Sequence, residues 1–211
     1  MKIKSFTVNG FAENSFLLFD DSRECLIIDP GFYEQQERDG LLKFITENEL
    51  IPVKVLNTHC HVDHILGNRF VCEHFRIPLS AHQEDQFLLD RAPQMGEIFG
   101  FKVQPSPPVD IYLNHGDIVR FGNSELEVIH TPGHSPGSLS FYNKKDEFVI
   151  VGDVLFAGSI GRTDLPRGNY ETLISNILNR LLILPGSTVV FPGHGPSTTI
   201  RHEYDTNPFL Q

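Results

Sequence analysis

Apolar residues recur along this chain in short continuous runs, each broken by glycine, proline, asparagine or aspartate, with helix-spaced patterns between some of them. Phe6-Thr7-Val8, Ser15-Phe16-Leu17-Leu18-Phe19 and Glu24-Cys25-Leu26-Ile27-Ile28 predict three short strands, punctuated by Asn9-Gly10 and Asp20-Asp21-Ser22. Residues 41–47 carry apolar side chains on one helical face. Pro52 opens a strand through Val53-Lys54-Val55-Leu56. Ile65, Leu66, Phe70, Val71, His74 and Phe75 then predict one helix packed on a sheet, with His74 partly buried. Residues 78–81 read as a short strand, 83–89 as a helix and 93–108 as irregular. In that last stretch Met95, Ile98, Phe99 and Phe101 are either core or the wall of a substrate pocket. Residues 109–121 predict a hairpin about Asn114-His115-Gly116-Asp117, followed by strands at 125–129, 138–142 and 148–151. Residues 170–184 form an amphipathic pattern with Asn169 as N-cap. Periodicity alone supports an α/β or α+β class and no finer architecture.

The chain has 211 residues, 40% of them hydrophobic, enough for a sizeable core, and it is expected to form a single domain over 1–211. A net charge of -10 argues against a nucleic-acid-binding surface. No apolar stretch approaches the ~18 residues of a membrane span, and Met1-Lys2-Ile3-Lys4-Ser5-Phe6-Thr7 lacks a signal-peptide core. Cys25, Cys60 and Cys72 are an odd, dispersed set, which fits reduced thiols in a cytoplasmic protein better than a disulfide framework.

The densest chemistry lies in Thr58-His59-Cys60-His61-Val62-Asp63-His64, where four ligand-capable side chains fall within six residues. Imidazole nitrogen and carboxylate oxygen suit zinc, and also iron or manganese. In extended chain, residues two apart face the same side, so His59 and His61 can grip one ion while Cys60 turns away as a packed thiol. On a helix that pair would stand about 200° apart. Asp63 and His64 sit where the chain turns, and could serve a second ion. Three further apolar runs end beside glycine in a ligand-capable residue: His134 after Thr131-Pro132-Gly133, Asp153 after Gly152, and His194 after Pro192-Gly193. Strand ends of this kind converge on one sheet edge, where α/β folds place their chemistry. A structural zinc favours four cysteine-rich ligands, so seven candidates with one nearby cysteine point to a working site. His115 reads as a turn residue and His130 as a hydrogen-bonding member of the 131–134 loop.

His59-x-His61-x-Asp63-His64, followed by His134, Asp153 and His194, resembles the metallo-β-lactamase superfamily. Gly152-Asp153-Val154-Leu155-Phe156 and Gly161-Arg162-Thr163-Asp164 resemble the short members of its glyoxalase-II-like hydrolase branch. The likeness runs from Asp29-Pro30-Gly31 to Pro192-Gly193-His194-Gly195-Pro196. It implies a four-layer αββα sandwich. It also implies two zinc ions per chain, with iron or manganese as alternatives: His59, His61 and His134 on the first, Asp63, His64 and His194 on the second, Asp153 bridging. Asp29, otherwise a plain turn residue, would brace the metal loop. Arg162 and Asp164 either pin the loop after Asp153 or offer Arg162 to a substrate carboxylate. Two divalent cations bring about +4, and two carboxylates with a bridging hydroxide leave the cluster near about +1, which favours ionised water at neutral pH and attracts a carbonyl oxygen.

The function this implies is hydrolysis of small-molecule thioesters of the hydroxyacylglutathione (S-lactoylglutathione) type, with Asp63 and Asp153 as the catalytic carboxylates. Longer glyoxalase II enzymes add a C-terminal helical domain that helps bind glutathione; this chain is expected to lack it, ending at Pro208-Phe209-Leu210-Gln211. Two other readings stay open. Persulfide dioxygenases resemble the sequence in Thr-His-Cys-His and Gly-Arg-Thr-Asp, and their single iron would take His59, His134 and Asp153. The third reading is a metal-holding module without catalysis.

Overall fold

The apolar runs become strands, and those at 13–19, 24–28, 139–143 and 148–152 are buried on both faces. In the computed structural model, which describes residues 1–211, β1 (Lys2–Val8), β2 (Glu13–Phe19) and β3 (Glu24–Ile28) form an antiparallel meander. Three parallel strands, β4 (Ile51–Leu56), β5 (Leu79–Ala81) and β6 (Ile111–Tyr112), extend it to a six-stranded sheet in sequence order. A second six-stranded sheet contains β7 (Ile118–Phe121), β8 (Ser124–His130), β9 (Leu139–Asn143) and β10 (Phe148–Gly152). After the small hairpin of β11 (Leu155–Phe156) and β12 (Ser159–Ile160), the chain returns to that sheet with β13 (Val189–Pro192) and β14 (Thr198–Thr199), giving the order β14-β13-β10-β9-β8-β7.

Alternation along each strand decides which face goes where. Phe16 and Leu18 of β2, Leu26 and Ile28 of β3 and Leu56 of β4 meet Leu126, Val128, Phe141 and Ile150 of the second sheet in one core between the sheets. The intervening residues Leu17, Cys25, Ile27 and Val55 face the other way, onto Leu41 and Ile45 of α1 (Gln35–Glu47). Helix α2 (Val62–Ile65) lies at the metal loop, and α3 (Asn68–Phe75) adds Val71 and Cys72 to that outer core. On the far side, Ile129, Val149, Val151 and Val190 pack on Leu173 of α5 (Tyr170–Asn176) and Ile200 of α6 (Ile200–Thr206). The layers therefore run helices, sheet, sheet, helices. Each fully buried Leu, Ile or Phe contributes roughly 1.5–3 kcal/mol, so this core does not need a bound ion to hold it together. No helix is long and apolar enough to cross a membrane.

Strand direction explains where the candidate ligands meet. β10 runs parallel to β13 and antiparallel to β9, which runs antiparallel to β8. Hence β8, β10 and β13 all end at one edge of the second sheet. The first sheet is stitched to that edge by Leu139 N–H donating to Thr58 O (2.7 Å) and Asn14 N–H donating to Gly193 O (2.7 Å).

Several expectations need correction. The segment after His64 is two helices, not one, because Gly67 donates to Pro30 O (2.7 Å) and passes so close to it that a Cβ would collide. His74 is exposed on α3 rather than partly buried. Helix α4 (Gln86–Ile98) runs straight through Pro93, and Asn114–Asp117 joins strands of different sheets instead of closing a hairpin. The first helix begins at Gln35, where Glu37 accepts from the N–H of Tyr33 and Glu34. The last expected helix turns π-helical over Ile177–Leu181.

Candidate metal centre and active site

His59 and His61 leave β4 in extended chain, and their loop brings them onto His134 from the end of β8; ligand atoms of the three lie within 4.8 Å of one another. Asp63, His64 and His194 form a second group within the same limit. Asp153 stands between the groups, at 3.4 Å from His64 Nε2, 3.7 Å from His134 Nε2 and 3.6 Å from His194 Nε2. All seven residues singled out in the sequence thus converge.

The ring orientations follow one rule. His59 Nδ1 donates to Thr58 Oγ1 (3.1 Å), whose hydroxyl donates to Asp29 (2.5 Å). His64 Nδ1 donates to Asp29 Oδ2 (3.1 Å), His134 Nδ1 to the Arg162 carbonyl (2.7 Å), and His194 Nδ1 to the Phe11 carbonyl (3.2 Å). Each of these rings therefore turns Nε2 inward, the arrangement that outer hydrogen bonds impose on metal-binding imidazoles. His61 differs, presenting Nδ1 at 2.8 Å from His134 Nε2. Nε2 of His59 and His64 and Oδ1 of Asp153 are buried without a hydrogen-bond partner. Such orphans are costly unless something else satisfies them. Convergent lone pairs of nitrogen and carboxylate oxygen are the donor set divalent transition metals take, so the residues fit such ions.

Electrostatics separate the two groups. Burial, reinforced by neighbouring imidazoles, pushes His61 down to about 3 and holds His59 well below the usual histidine range; burial also lowers His134. These rings are neutral at pH 7, as ligands must be. In the second group burial works against charge, but Asp63 and Asp153 outweigh it and raise His64 and His194. The same pairing, chiefly with His64, overcomes burial and lowers Asp63 and Asp153.

Asp29 is a bracing carboxylate, with Thr58 N–H also donating to its Oδ1 (2.6 Å). Arg162 contributes its carbonyl to His134 and lines the adjoining cavity, while its guanidinium makes two 2.7 Å bonds to exposed Asp164. Cys60 packs with Ile65, Ala81 and Leu88. His130 bonds within its loop, Nε2 to Pro136 O (2.8 Å). Gly193 is obligatory: a Cβ there would meet Asp153 Oδ1 and come within 2.6 Å of His64 Cε1. Gly193→Ala should cost about 1–3 kcal/mol of stability through overpacking, read from denaturation midpoints, and should lower metal uptake in a zinc titration.

Sequence reasoning missed three supports. The carbonyls of Phe11 and Arg162 orient two imidazoles, and a carbonyl carries no residue-type signature. The third is Asp85, fully buried, which accepts from Cys60 N–H (3.0 Å), Ser135 Oγ (2.8 Å) and Gly137 N–H (2.7 Å) and so ties the 58–61 loop to the 131–138 loop. Its only signal was an acid at a helix start, which reads as a cap. Burial pushes its carboxyl up to about 6 despite those bonds. With a folded value above the unfolded ~3.9, Asp85 contributes stability fully below about pH 3.9 that is lost as pH rises through about 6, on the order of 3 kcal/mol. Asp85→Asn should flatten that part of the profile, measured as denaturation midpoints from pH 4 to 7, and should leave the Cys60 N–H facing an amide donor at one of its rotamers.

The family model for the metallo-β-lactamase superfamily matches residues 8–194. The chain belongs to this superfamily. It is 42% identical to a probable metallo-hydrolase of Bacillus subtilis (YqgX), covering 100% of this chain and 98% of the relative. It is 37% identical to a hydroxyacylglutathione hydrolase of Haemophilus influenzae (GloC), with the same coverage. Among solved structures, the B3 metallo-β-lactamase BLEG-1 superposes with a TM-score of 0.91 at 37% identity, covering 100% of both chains. The di-iron-bound form of TTHA1623 gives 0.87 at 37% identity, covering 98% of this chain and 100% of that one. ETHE1 from Myxococcus xanthus gives 0.81 at 26%, covering 99% and 84%. Superfamily hydrolases among these relatives and the clustered histidines and aspartates make this a metal-dependent hydrolase of the metallo-β-lactamase fold.

Proposed function

We propose that the protein hydrolyses small-molecule thioesters of the hydroxyacylglutathione type, with two divalent cations held by His59, His61 and His134 and by Asp63, His64 and His194, and Asp153 shared between them. The observation that carries this reading is the second group: it is as tightly gathered as the first, and buried His64 Nε2 and Asp153 Oδ1 have no partner of their own. A mononuclear iron site on His59, His134 and Asp153 would leave that group without work. The hydroxyacylglutathione hydrolase relative supports the thioester, and the di-iron neighbour keeps iron beside zinc as the metal.

Bound there, two cations would bring the ionisation of water close to neutral pH and polarise a carbonyl oxygen. The protein's own groups do the rest. Asp63, held ionised chiefly by His64 against burial and lying 3.2 Å from His194 Nε2, is an acceptor for a proton of the attacking water. Asp29, Thr58, Arg162 and Phe11 keep the imidazoles aimed inward through the cycle. The apolar walls of the adjoining cavity keep bulk water from the reacting carbonyl.

Metal analysis of protein purified without added metal, paired with assays, tests the reading. Two equivalents of metal and hydrolysis of S-lactoylglutathione or a related thioester are expected. One iron with oxygen uptake on glutathione persulfide would replace the hydrolase by a dioxygenase.

A further inference from the structure

The cavity over the site, about 360 Å³, is walled on one side by one face of α4: Phe87, Leu88, Ala92 and Met95. Residues three and four apart on a helix are neighbours. Arg91 sits on that face, one turn from both Phe87 and Met95, and lines the same cavity. The other arginines at this mouth are engaged. Arg162 is bound to Asp164 through both bonds described above, and Arg167 lies over the Phe87 ring at 4.1 Å. Arg91 is exposed and has neither an ion pair nor a side-chain hydrogen bond. The acidic residues lining the cavity are Asp63 and Asp153, both committed to imidazoles. A cation without a counterion therefore stands at the rim of an apolar wall, on a chain whose net charge is -10.

We propose that Arg91 receives an anionic group of the substrate, so that the site favours thioesters carrying a carboxylate on the thiol arm over neutral ones. This rests on the thioester reading for the bond that is cleaved, in which water adds across the C–S bond to give a carboxylic acid and a thiol; the anion preference is independent of it. The guanidinium fork matches a carboxylate in two parallel hydrogen bonds. An arginine's aliphatic stem can cover apolar surface such as the α4 wall while its charged head stays in water. The cavity is at the small end for ligand sites, so it encloses one arm and leaves the arm's charged end at the rim.

The test compares S-phenylacetyl-3-mercaptopropionate with its neutral mercaptopropionamide counterpart, on metal-loaded wild type, Arg91→Gln and Arg91→Glu. Wild type should favour the carboxylate in kcat/KM by about tenfold, mostly through KM, because Arg91 holds the thiol arm and not the reacting carbonyl. Arg91→Gln should bring the ratio towards one and Arg91→Glu should invert it. A ratio that is the same in all three proteins would overturn the proposal while leaving thioester hydrolysis standing. Calorimetric binding of the uncleavable thioethers S-phenethyl-3-mercaptopropionate and its amide reads the same ratio without turnover. An Arg91-dependent preference there, with no thioester cleaved, would support the anion site and sink the hydrolase reading instead.

Discussion

Asp153→Asn should reduce kcat/KM by well over the ~100-fold that losing a hydrogen-bond partner of a metal ligand costs. The asparagine keeps the shape but removes the charge between the two groups, and turns either an amide donor or a single oxygen towards three imidazole nitrogens now 3.4–3.7 Å from the carboxylate. The protein should stay folded, since the core between the sheets is untouched. A stability signature accompanies the loss. Asp153 is depressed by His64 against burial, so it contributes stability above the unfolded carboxylate value that is lost as pH falls through the folded one. Metal-free wild type and variant should therefore differ most near pH 7 and converge in acid. His134→Ala should likewise abolish turnover in a folded protein. Near-normal rates in either variant would remove these residues from the chemistry.

Asp29→Asn should cost second-group metal affinity about 10–100-fold, and first-group affinity less, because Asp29 touches His64 directly but reaches His59 only through Thr58. Asp29 has φ +48°, a backbone state that asparagine adopts at least as readily, so the turn survives. What changes is the proton on His64. With a carboxylate at 3.1 Å, Nδ1 keeps its hydrogen and Nε2 is free to ligate. An amide donor in that place makes Nδ1 the acceptor and moves the hydrogen to Nε2, where it blocks a cation. A zinc titration followed by calorimetry should then show one tight equivalent instead of two. Two unchanged equivalents would mean that Asp29 holds only the turn.

The strands were legible because a run such as Phe148-Val149-Ile150-Val151, buried on both faces, has no other comfortable place than the middle of a sandwich. The ligand set was legible for a related reason: every member follows the end of an apolar run, His134, Asp153 and His194 beside glycine, and strand direction carries those three ends to one edge. Asn114–Asp117 misled because a turn signal says where the chain reverses and nothing about which sheet receives it. Pro93 misled because its penalty is local, whereas Leu88, Leu89, Ala92 and Gly96 bury a face along the whole of α4. Gly96 in particular lets residues 101–103 cross the helix, since a Cβ there would meet Val103. Asp85 and the Phe11 carbonyl stayed hidden because they act on ligands from residues far away in sequence, and neither belongs to a motif.

Anomalous diffraction from crystals of zinc-loaded protein would test the account most directly. It predicts two peaks in each chain, one among His59, His61 and His134 and the other among Asp63, His64 and His194, with the Asp153 carboxylate reaching both. A lone peak held by His59, His134 and Asp153, with His194 turned to solvent, would contradict it.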